Sequence, residues 1–145
     1  MSARKFVSSG SPWEELAGYS RAVADGRWVF VSGTVGYDLR AKTWPPTAEA
    51  QASTSLDTIE RALREAGATL LDVVRVRVYV PDRADVVAVS GVIKQRLGAA
   101  RAANTTVCAP LAVDDAKVEI EVTVLKPQAR RSTPRRTTRR RRGRQ

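Results

Sequence analysis

Apolar positions change their spacing several times along this chain, and each change predicts a different element. Ser20–Ala24 and Arg27–Ser32 are two β-prone runs on either side of Asp25-Gly26, a two-residue hairpin signal. Lys5–Val7 adds a short strand ahead of them. From Thr34 to Pro46 the period disappears among Gly36, Asp38, Pro45 and Pro46, which predicts a loop over the surface. Ala52, Leu56, Ile59, Leu63 and Ala66 then recur at steps of four and three. That is the stripe of a helix lying on a core from about Thr47 to Ala66, and Gly67 fits its C-terminal cap.

Val74, Val76, Val78 and Val80 alternate with Arg75, Arg77 and Tyr79 until Pro81 ends the run, so this is a strand with one apolar face. A second helix from about Arg83 to Leu97 sets Val86, Val89, Ile93 and Leu97 on one side, with Asp82 as its N-cap and Gly98 after it. Asn104–Ala109 and Lys117–Leu125 are the last strands, and Pro127 stops the second. Hairpin, helix, strand, helix and two strands make an α+β fold: a mixed sheet with two helices on one face. The other face mixes apolar and charged residues and is expected to meet further subunits.

Charge redraws the boundary of the domain. The chain has 145 residues, enough for one core, and a formal charge of +10. Nine arginines fall after Ala129 with no acid among them, and taking them away leaves +1 for residues 1–129. The expected organisation is one folded domain over 1–128 and a disordered Arg-rich tail over 129–145. That tail reads equally as a solubilising extension or as a non-specific contact to nucleic acid or anionic headgroups, and without interleaved aromatics it does not read bases.

Histidine is absent, which removes Ser-His-Asp and Cys-His catalysis and most zinc sites, so the acid or base must be a carboxylate, Lys, Tyr, Cys or water. No metal or cofactor is called for. The lone Cys108 cannot form an intrachain disulfide and reads as a small buried thiol. No apolar stretch approaches the ~20 residues needed to span a bilayer, and the N-terminus has no signal-peptide pattern, so a cytoplasmic setting is expected.

Gly18-Tyr19-Ser20 followed by Ala22-Val23, Val29-Phe30-Val31-Ser32-Gly33, Ala66-Gly67-Ala68, Asp72-Val73-Val74 and Val118-Glu119-Ile120-Glu121 occur in an order that resembles the Rid (YjgF-like) family, over roughly Arg4 to Leu125. The resemblance implies a chorismate-mutase-like fold, a homotrimer whose sheets form a central barrel, and a small-molecule cleft at each subunit interface. It implies an enzyme that hydrolyses reactive enamines and imines. In that reading Tyr19 lines the cleft and Glu119 handles the attacking water.

The family's substrate-gripping arginine falls on Asn104, with the following backbone at Thr105 and Thr106. Asparagine offers a neutral amide where arginine offers a charged fork, a loss on the order of 2–5 kcal/mol for a carboxylate ligand. Arg101 is the substitute anion anchor in reach along the sequence, and Thr34 stands where the family has glutamine. The implied function is a hydrolytic deaminase or related enzyme for a small enamine or imine other than 2-aminoacrylate. The alternative is a non-catalytic ligand-binding trimer. An endoribonuclease has no catalytic constellation here. For Glu119 itself the competing role is an ion pair with Arg75 or Arg77 on a neighbouring strand.

Overall fold

The computed structural model describes residues 3–129, and the Arg-rich segment expected to be disordered lies outside them apart from Ala129. The elements in chain order are β1 Lys5–Val7, α1 Pro12–Ala17, β2 Ala22–Asp25, β3 Trp28–Val35, α2 Ala48–Glu65, β4 Val73–Tyr79, α3 Val86–Leu97, β5 Ala103–Val107 and β6 Glu119–Leu125. They form one six-stranded sheet in the order β1-β2-β3-β6-β4-β5. Among the described residues only β4 and β5 run parallel, because α3 carries the chain across between them.

The apolar stripe of α2 does what its spacing predicts. Ala52, Leu56, Ile59 and Leu63 are fully buried and share a core with Val29, Val76, Val78, Val89, Ile120 and Val124. Thr47 caps the start of α2 by accepting from the Ala50 amide at 3.1 Å. Past its end Gly67 turns to φ +77°, a left-handed conformation that a side chain would strain. Both long helices contribute to this core, which leaves the opposite sheet face bare. Phe6, Trp28, Phe30, Arg75 and Arg77 stand exposed there.

Five expectations need correction. The hairpin turn consists of Gly26 and Arg27, since Asp25 pairs with Trp28 and is the last residue of β2. Strand β3 continues through Thr34 and Val35, so the loop begins two residues later than the loss of period suggested. Val74 is not a core residue: a bulge between Val73 and Arg75 doubles two residues of β4 against β6, so Val73 points inward and Val74 outward. Cys108 is exposed, because it follows the edge strand β5 and no further strand among the described residues covers it. Asp82 accepts from the Ala84 amide at 2.9 Å, but the element it caps is a short 3-10 turn over Arg83–Asp85 that leads into α3.

Helix α1 has no counterpart in the periodicity, because six residues give no full repeat. Pro12 starts it, a residue suited to a first helical turn, and it ends at Gly18. Its function in the fold is to carry Glu14 inward.

Candidate active site

A cleft of about 510 Å³ opens between α1, the end of β3, the loop after it and the start of β6. Tyr19, Arg21, Thr34 and Glu119 form a polar wall of it, and Ser9, Ser11 and Thr58 line it as well. Trp13, Tyr37, Leu39 and Trp44 make much of the rest.

The wall is organised by Arg21, a residue that the sequence reading passed over. Arg21 is buried at 5 % exposure. Its Nη1 donates to the Gly33 carbonyl at 2.7 Å and to Thr34 Oγ1 at 2.9 Å, and Nη2 donates to the Tyr19 hydroxyl at 3.2 Å. The guanidinium also stands 5.5 Å from the centre of the Tyr19 ring, in cation-π range. On its far side Nε pairs with Glu14 at 3.3 Å. Burial would raise the Glu14 pKa, but hydrogen bonds from Ser9 and Ser8, together with the charge of Arg21, outweigh it and hold the carboxyl below its usual range. The one cue in the sequence was Arg21 itself, a charge immediately ahead of the apolar residues of an inner strand, and its partner Glu14 lay in a helix too short to show a period.

Glu119 is the first residue of β6 and faces Tyr79 and Val35 on the flanking strands. Its carboxyl lies over the bulge of β3. A Cβ on Gly33 would stand 2.0 Å from Glu119 Oε1, so the glycine is what makes room for the acid. Burial, then the negative charge of Glu121, push the Glu119 carboxyl above its ordinary value, and Arg21 opposes them. The ion pair weighed for Glu119 belongs to its neighbour instead: Glu121 pairs with Arg77 at 3.4 Å and accepts from the Tyr79 hydroxyl at 3.1 Å.

Buried polar residues of α2 support the cleft from behind. Ser55 donates to the Thr34 carbonyl at 2.8 Å. Gln51 donates to the carbonyls of Pro45 and Asp115 at 3.0 and 3.1 Å and accepts from the Lys117 amide at 2.7 Å, tying two cleft loops to one helix.

The structure thus brings together three of the sequence-derived candidates, Tyr19, Thr34 and Glu119. The others lie elsewhere. Asn104, Thr105 and Thr106 are exposed on β5 with β4 between them and β6, outside this cleft. Arg101 occupies a left-handed turn before β5 and is exposed as well.

Residues 11–126, which contain this wall, match the family model described as Endoribonuclease L-PSP. The chain belongs to this family, the Rid (YjgF-like) family. Among its Rid relatives, a 2-iminobutanoate/2-iminopropanoate deaminase of Dermatophagoides farinae is 31% identical over 129 residues, covering 86% of this chain and 98% of that protein. A crystal structure of a YjgF/YER057c/UK114 family member from Mycobacterium tuberculosis is 40% identical, with a TM-score of 0.78 over 85% of this chain and 99% of that one. A YjgF family structure from Neisseria meningitidis is 29% identical, with a TM-score of 0.73 over 88% and 98%. The α+β architecture is therefore that of the Rid family, and no helix among the described residues is long and apolar enough to cross a membrane.

Proposed function

We propose that the cleft hydrolyses a small imine, or the enamine that tautomerises to it, to a carbonyl compound and ammonia. The observation that carries this reading is Glu119, a carboxyl of raised pKa held in a cleft beside Tyr19 and Arg21. An acid that titrates nearer neutrality can both take and return a proton. As carboxylate, Glu119 removes a proton while water oxygen bonds to the imine carbon. As acid, it returns that proton to nitrogen, giving a carbinolamine; it then takes the carbinolamine O–H proton and passes it to nitrogen as the C–N bond breaks, so that ammonia leaves and the C=O bond forms. The Tyr19 hydroxyl accepts from Arg21, which leaves its own O–H free to donate to the adding oxygen or the nitrogen. The deaminase name of the Dermatophagoides relative supports the same reaction class.

The assembly belongs to this proposal. A homotrimer would cover the bare sheet face and bring Asn104, Thr105 and Thr106 from the exposed edge of one copy toward the cleft of the next. Neutral Asn104 in that position disfavours 2-aminoacrylate and other small imino acids that need a charged carboxylate grip.

The test is ammonia release from imines generated in situ, with the wild type compared to Glu119→Gln. Turnover that Glu119→Gln abolishes, with fold and assembly unchanged, is expected. A wild type inert to every imine, yet folded, would leave the non-catalytic ligand-binding protein as the function.

A further inference from the structure

We propose that this cleft takes imines that carry a flat aromatic substituent in preference to short aliphatic ones, a reading of ligand class that rests on the hydrolytic function above. Besides its polar residues, the cleft is lined by Trp13, Tyr37, Leu39 and Trp44, which present apolar surface to the same space. Tyr37 and Trp44 meet edge to face, with centroids 5.2 Å apart and planes at 62°, which leaves ring surface available to a third aromatic group.

These rings are held in place. Asp38 and Thr43 exchange backbone hydrogen bonds at 2.9 and 3.3 Å across the loop that bears Tyr37 and Trp44, and Gln51 anchors Pro45 next to Trp44. Trp13, which also lines the cleft, is 53 % exposed although it adjoins the buried Glu14. The cleft's volume of about 510 Å³ suits a ligand of many heavy atoms. A methyl-bearing imine would leave most of it as water against aromatic surface, whereas a ring would displace that water.

Charge points the same way. The buried guanidinium of Arg21 is directed to Glu14, Gly33, Thr34 and Tyr19, so this chain presents a compensated cation rather than a free anion anchor. Affinity must then come from apolar contact.

The test uses the full chain and two imines made in situ by an amino-acid oxidase, one from phenylalanine and one from alanine. They share a carboxylate and differ in the ring. A kcat/KM at least roughly tenfold higher for the phenylalanine-derived imine is expected. Trp44→Ala should erase most of that ratio through KM, and Trp44→Leu, which keeps apolar volume, should erase it in part. Where there is turnover, equal or better efficiency on the alanine-derived imine overturns the proposal and leaves hydrolysis standing. Where there is none, tryptophan fluorescence titration with phenylacetamide and acetamide decides. Saturable binding of the first alone, weakened by Trp44→Leu, keeps the ligand class while the hydrolytic reading falls. Absence of both turnover and binding sinks both.

Discussion

Between the helices and the sheet, Leu56, Ile59, Leu63, Val29, Ile120 and Val124 share one apolar core with no exposed surface. At the cleft end of the same strands, Glu14 and Arg21 are withdrawn from water almost as completely, and Glu119 in part. The core gains from every group it buries. The cleft wall pays desolvation for its charges and recovers it only while each has its partner. Sheet strands reach from one region into the other, so the bulge of β3 at Ser32-Gly33, which alters the strand's pairing where it meets Glu119, marks the passage from stability to chemistry.

The sharpest way to break this contrast is Arg21→Ala, which leaves Glu14 buried and unpaired and removes the support of Tyr19 and Thr34. A loss of about 3–5 kcal/mol in chemical denaturation is expected. Replacing Glu14 and Arg21 together by methionine should cost less than Arg21→Ala alone, and a double variant worse than the single one would show that the pair is not the source. Next comes Leu63→Ala in the core. It should cost about 2–5 kcal/mol while turnover of the folded protein, measured well below the denaturation midpoint, stays within about twofold. A matching collapse of kcat would mean that the two regions are not separable.

The smallest effect carries a sign. The folded state binds the Glu119 proton more tightly than the unfolded chain, so wild-type stability falls as pH rises from the ordinary value of 4.5 through the raised folded one. Glutamine has no such dependence. Glu119→Gln should therefore be more stable than wild type at pH 8, by a margin that closes near pH 4, and denaturation at the two pH values checks it.

Regions with a repeating period were legible in the sequence. The stripe of α2 and the inward face of β6 could be read from spacing because many residues vote for one geometry. Val74 was misread for the same reason, since a bulge inserts one residue into an otherwise regular alternation. The cleft wall is made of single residues whose partners are distant in sequence: Arg21 with Glu14, Gly33 with Glu119, Gln51 with Asp115 and Lys117. Spacing says nothing about such pairs. Glu119 was found through its motif, and its environment became visible only once β3 and β6 lay side by side.

The central claim, that Glu119 is the proton-handling carboxyl of an imine-hydrolysing cleft, is tested most directly by the pH dependence of kcat/KM. Because the carboxylate form starts the reaction, the rate should rise with pH through a limb set by Glu119 and displaced above 4.5, as its burial and Glu121 demand. Glu119→Gln should lack that limb and fall to the uncatalysed rate. A limb at or below 4.5, or one retained with full turnover in the glutamine variant, would contradict the account.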